Sequence, residues 1–162
     1  MHISHSDNIT PPPGGNSASN AAPQRPGLIY HETRFRLPRP VLSWPSTFGL
    51  ITGYATTGEV WPEERNQQAN AALERVLVST GCWMAPITGY SPSTGHAEPG
   101  WAVEMTFEQC CKLGEEFLQD AIYFVENGEL FVSPCAEGKR DLAPVGNFME
   151  RVDPPAPSPD SA

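Results

Sequence analysis

The chain has 162 residues, a net charge of −9 and 39% hydrophobic residues, which suits one domain with a modest core. The acidic balance disfavours a nucleic-acid backbone as the main partner, because phosphate binding needs a basic field. No run has the length and apolarity of a membrane span, and "MHISHSDNIT" lacks the cationic start and apolar centre of a signal peptide, so a soluble cytoplasmic protein with reduced thiols is expected.

Residues 1–28 hold five of the 18 prolines and residues 152–162 hold four. "DNITPPPGGNSASNAAPQRPG" and "VDPPAPSPDSA" have almost nothing to bury and cannot offset their ordering entropy. Both tails are therefore expected to be disordered, with the folded unit at residues 29–151. Within it, "YHETRFRL" (30–37) alternates, placing Phe35 and Leu37 on one face, and predicts a half-buried strand. "PRPVLSWPS" breaks regular structure. "FGLITGYA" (48–55) is apolar on both faces apart from Thr52 and predicts a central strand. After the loop "TTGEVW", Pro62 and the acids Glu63 and Glu64 open a helix that stops at Gly81, with Ala69, Leu73, Val76 and Leu77 as its apolar stripe.

"CWMAPITGY" (82–90) predicts a strand that Pro86 makes an edge or an interrupted one. "SPSTGHAEPG" reads as a loop and "WAVEM" as a short strand. Thr106 with Gln109 three residues on has the spacing of a capping box, and Phe107, Cys110, Gly114, Phe117 and Leu118 follow at helical spacing. In "DAIYFVENGELFVSP" two apolar runs flank Asn127-Gly128, the preferred dipeptide of a type I′ hairpin turn. Beyond Cys135 the chain is polar, with "GNFMERV" laying Phe148 and Met149 back on the body. The order β-β-α-β-β-α-β-β predicts a single α+β domain, one mostly antiparallel sheet with two helices packed on it. A ferredoxin-like β-α-β-β-α-β core fits inside that order.

No P-loop, Rossmann fingerprint, nucleophile elbow or His-Glu-x-x-His is present. Cys82, Cys110, Cys111 and Cys135 lack zinc-knuckle spacing, and the four histidines form no ligand cluster, so neither a metal site nor a cofactor is implied. Cys110 and Cys111 read as small buried hydrophobes. Glu98, just ahead of a strand, is the candidate acid or base if there is chemistry; a lone loop acid is more often solvated. Asn66 lies in the first turn of the first helix and Gln119 at the end of the second. Each amide is placed either to satisfy loose backbone nearby or to face a ligand where strand ends and helix termini gather.

Several short motifs line up in order: Tyr30 with Thr33, "ITGYAT" from Ile51, the helix start Asn66, Asn70 and Leu73, "AEPG" around Glu98, and "FLQDA" from Phe117 to Ala121. Together they resemble the bacterial "domain of unknown function 3293" family over about residues 30–133. The chain has Ala55-Thr56 where that family has Asn-Pro, His96 or a displaced Trp101 where it has Trp, and Gly100 where it has Ser. The family brings no known activity. The resemblance implies that Thr52, Tyr54, Asn66, Glu98 and Gln119 belong to one constellation. Two functions follow as expectations. One is a polar pocket for a small polar or nucleotide-like ligand, lined by those five residues. The other is a non-catalytic acidic module that docks a basic protein partner as an accessory, inhibitor or antitoxin-like protein, since residues 98 to 129 hold eight acids and one base. The oligomeric state is not legible.

Overall fold

The computed structural model describes residues 28–56 and 58–155. The tails expected to be disordered fall outside the described residues, except at their inner ends. The elements are α1 (Leu28–Glu32), β1 (Arg34–Arg36), β2 (Thr47–Ile51), α2 (Glu63–Thr80), β3 (Met84–Tyr90), β4 (Ala97–Val103), α3 (Phe107–Glu116), β5 (Ala121–Glu126), β6 (Glu129–Pro134), β7 (Ala143–Asn147) and α4 (Phe148–Arg151). The seven strands form one sheet in the order β1-β3-β4-β2-β5-β6-β7, every neighbouring pair antiparallel. The fold is therefore the α+β single domain that the element order predicts. Its centre, β3-β4-β2-β5 with α2 and α3 as crossovers, is the split β-α-β arrangement of a ferredoxin-like core. β1 extends it on one side, and β6 and β7 on the other.

The two faces of the sheet carry separate cores, because side chains alternate along each strand. In β2, Ile51 meets the helices, packing with Leu73, Leu77, Val103 and Cys110. Gly49 points the same way, and a Cβ there would lie 2.5 Å from the Cys110 Sγ, so only glycine lets α3 sit this close. Phe48 and Leu50 point to the opposite face, into a cluster with Phe35, Ile87, Val125, Leu130 and Phe148. Trp44 from the proline-broken segment closes that cluster, stacked on Phe48 at 5.0 Å and edge-on to Phe148 at 5.0 Å. Burial of this second core draws α1, α4 and residues 152–153 onto the face away from the long helices.

Local signals hold where the chemistry is local. Gly81 caps α2 in the left-handed region at φ 69°, Thr106 and Gln109 form the reciprocal capping box, and Asn127 and Gly128 turn the β5–β6 hairpin at φ 48° and 84°. Pro86 is accommodated because β1 pairs only with Thr88, Gly89 and Tyr90, leaving the rest of β3 exposed on that side.

Other expectations are corrected. The strand over 30–37 shrinks to three residues, because Tyr30 to Glu32 form a helical turn. That turn sets the Tyr30 ring against Tyr123 at 5.8 Å and offers the Tyr30 and Thr33 carbonyls to the Arg151 guanidinium. Residues 97–100 are strand rather than loop, paired with β3 from Tyr90↔Ala97 to Ile87↔Gly100, so Glu98 stands on β4. β7 is the strand whose sequence, "APVGN", gives only Val145 to the core. In α2 the buried residues are Asn66, Leu73 and Leu77, while Val76 is exposed. α3 ends at Glu116, buries Cys110, Cys111, Leu113 and Gly114, and leaves Leu118 and Gln119 beyond it.

Candidate functional site

A cleft of about 440 Å³ opens on the sheet face opposite α2 and α3. Its floor is Leu50, Ile87, Gly89, Glu98, Gly100 and Tyr123, which share one face of β2 to β5. Tyr30, Thr33 and Phe35 form one wall, and Thr56 with Gly58, Glu59 and Val60 on one side and Ser91, Thr94 and His96 on the other form the rim.

Three of the five expected residues, Thr52, Glu98 and Gln119, line this cleft; Tyr54 and Asn66 do not. The structure nonetheless ties them together through the irregular linker from β2 to α2. The Thr52 hydroxyl donates to the Pro99 carbonyl at 2.7 Å and accepts from the Tyr54 N–H at 3.0 Å. The Gly53 N–H donates to Asn70 Oδ1 and the Ala55 N–H to Asn66 Oδ1, at 3.1 and 2.9 Å. Gln119 Nε2 donates to the Tyr54 carbonyl at 2.7 Å and to the Phe117 carbonyl at 3.1 Å. Thr56 Oγ1 accepts from the Asp120 N–H at 3.0 Å. Residues 52 to 56 have left the sheet, so their polar backbone needs other partners, and these side chains supply them.

Two glycines let the linker pass. A Cβ on Gly53 would lie 2.7 Å from the Ala69 carbonyl and the Asn70 Cα, and one on Gly100 would lie 2.5 Å from the Ile51 carbonyl oxygen. The linker is thus held between β4 and the first turns of α2. Gly100 leaves the Ile51–Thr52 backbone that space. The Tyr54 ring lies outside the cleft, donating its hydroxyl to Glu63 Oε1 at 2.8 Å; burial and that carboxylate push its phenol up to about 12.

Glu98 differs from the other four because its polar atoms do not serve the linker. Its Oε1 lies 2.9 Å from His96 Nε2 at the rim, and its side chain is 28% exposed. Facing it, burial pushes the Tyr123 phenol upward; a hydrogen bond with Thr33 works against that shift, and the field of Glu98 adds to it. Tyr123 therefore stays protonated. The aromatic residues of the cleft were missed as site residues: "AIYFV" reads as plain strand, and Tyr123 and Glu98 come together only through β2 and β4. The alternation of "GHAEPGWAV", with Glu98, Gly100 and Ala102 sharing a face, was the available signal.

These features define a ferredoxin-like core enlarged to seven strands, with a polar-rimmed aromatic cleft on the face its long helices leave open. Residues 51–122 match the family described as "Protein of unknown function (DUF3293)", the family that the short motifs resemble. The matched stretch runs from the end of β2 into β5 and includes the whole linker together with Asn66, Asn70, Glu98 and Gln119. No curated protein and no solved structure matches the chain. Among the described residues no helix is long and apolar enough to cross a membrane.

Proposed function

We propose that the chain is a small-ligand-binding domain and that the cleft beneath Tyr30, Phe35 and Tyr123 is its site. The carrying observation is a cavity of ligand size, about 440 Å³, with a mainly apolar lining that also carries hydroxyls and the carboxylates of Glu98 and Glu59. Thr52, Asn66 and Gln119 belong to this reading as the frame that fixes one wall; Glu98 is the group that meets the ligand. Among the described residues no Lys or Arg lines the cleft, which favours the unphosphorylated part of a nucleotide-like molecule, a base or nucleoside, over a phosphate ester. A thermal-shift screen of bases, nucleosides, small amines and phosphate esters tests this, since a ligand of the folded state raises its midpoint. Unphosphorylated compounds should stabilise the wild type and not Gly89→Leu. Gly89 is a suitable plug because a Cβ there starts in ordinary 3.6 Å contact with Phe35 and Thr33. Stabilisation by phosphate esters alone, or shifts that persist in Gly89→Leu, would overturn the assignment.

A second reading rests on the exposed acids Glu104, Glu108, Glu115, Glu116 and Asp120 on and beside α3, a face suited to a basic partner. Charge reversal at Glu115, Glu116 and Glu126 should then weaken partner capture, and unchanged capture counts against it.

A further inference from the structure

We propose that the cleft selects a small organic cation, its charge seated on Glu98 and its body held against the rings of Tyr30, Phe35 and Tyr123. The inference rests on the cleft being a ligand site and goes further by naming the ligand's charge.

The first ground is charge. Among the described residues the cleft contains the carboxylates of Glu98 and Glu59 and no Lys or Arg. The arginines nearest the cleft already have partners: Arg34 and Arg36 pair with Asp153, with Arg36 stacked on the Tyr90 ring at 3.8 Å, and Arg151 donates to the Tyr30 and Thr33 carbonyls. The one group paired with Glu98 is His96, which stands at the rim with 65% of its side chain exposed and holds a single carboxylate oxygen. A carboxylate set into an apolar wall without a strong counter-charge is costly, and a cationic ligand relieves that cost. Bound anions would meet the same field with the opposite sign.

The second ground is shape. Tyr123 meets Tyr30 at 5.8 Å and 75°, and Phe35 at 5.5 Å and 88°. Tyr30 and Phe35 in the wall thus each stand steeply against Tyr123 in the floor, and all three rings line the cavity; aromatic faces attract cations through their quadrupole. Gly89 pairs with Glu98 across β3 and β4 and, having no side chain, leaves the carboxylate uncovered. A neutral base could stack on these rings, but it would leave the charge of Glu98 unanswered.

The test titrates full-length protein, followed by amide and aromatic NMR shifts, with choline and with its uncharged carbon isostere, 3,3-dimethylbutan-1-ol. Adenosine serves as a neutral heteroaromatic probe. Choline should perturb Tyr30, Phe35, Tyr123 and Glu98 and bind at least about ten-fold more tightly than the isostere. Glu98→Gln, which keeps the shape and loses the charge, should erase that preference, and Gly89→Leu should abolish binding. Equal affinity for choline and the isostere, or a preference that survives Glu98→Gln, overturns the cation inference and leaves the cleft assignment standing. Adenosine binding in the cleft without choline binding does the same. If no probe perturbs cleft residues, or if Gly89→Leu binds as wild type does, the cleft assignment falls as well.

Discussion

Leu118 leaves α3 at φ 60°, a left-handed conformation that favours glycine. The Leu118 N–H reaches the Glu115 carbonyl and the Gln119 N–H reaches the Gly114 carbonyl at 2.8 Å, the two bonds of a Schellman ending. Leu118 is 58% exposed, so its side chain offers little packing in return. Leu118→Gly should raise unfolding free energy by about 1 kcal/mol, measured by urea denaturation; a loss of stability would show that the leucine side chain matters more than its backbone strain. The same ending explains why Gln119 was only half legible. Its amide was visible as a polar residue between a helix and a strand, but its direction depends on a left-handed leucine that no propensity foretells. Thr106, Gln109, Asn127 and Gly128 were fully legible because each acts on backbone within a few residues of itself.

At the scale of elements, the linker from β2 to α2 behaves as one pinned object. Asn66 lies outside the apolar stripe that the sequence predicts for α2, yet it is buried along with Leu73 and Leu77. Helical periodicity places it correctly on the inward side, and only the fold reveals that this turn faces the linker's backbone instead of apolar side chains. Asn66→Ala would leave the buried Ala55 N–H without its acceptor, which costs about 1–3 kcal/mol. The variant should unfold at lower urea, and its Ala55 amide should exchange faster with solvent; Asn66→Asp, which keeps an oxygen in place, should lose less. Equal stability of Asn66→Ala and wild type would mean that the other ties of the linker, from Thr52, Thr56, Asn70 and Gln119, suffice to hold it. β7 stayed hidden for a related reason: a strand with one inward residue, a proline and a glycine has no period to read. The sequence predicts only the end of β4, because "SPSTGHAEPG" reads as a loop; Pro99 lies within the strand nonetheless. It is tolerated because β2 reaches only as far as Trp101, and Thr52 takes the Pro99 carbonyl instead.

At the scale of the whole molecule, residues 152–153 close the sheet against itself. Val152 bridges Phe35, and the Asp153 N–H donates to the Phe35 carbonyl. The Asp153 carboxylate accepts from Arg34 Nε at 2.9 Å and from the Tyr90 hydroxyl. Burial alone would raise its pKa, but the hydrogen bonds from Tyr90 and Arg34 and the charges of Arg34 and Arg36 outweigh it, and the carboxyl lies below its usual value. The unfolded chain therefore takes up this proton at a higher pH than the folded one. The contribution is complete above the ordinary carboxylate range and disappears as pH falls through the depressed value. Wild type should lose stability between neutral pH and about pH 3 more steeply than Asp153→Asn, which should be the weaker of the two at pH 7. Denaturation curves at both pH values check this; parallel losses in the two proteins would assign the acid sensitivity elsewhere. The composition of "VDPP" concealed this role, since two prolines beside an acid look like a tail.

The segment from Phe148 to Asp153 also occupies both rims of the sheet at once, with Arg151 donating to the Val145 carbonyl behind β7 and to the Tyr30 and Thr33 carbonyls ahead of β1. An open sheet of seven strands would present two rows of unpaired backbone groups, each a template on which another chain could add a strand. Here six residues blunt both. Their loss would matter less as a loss of folding energy than as a change in the molecule's company: the sheet would acquire two sticky borders and drift toward self-association.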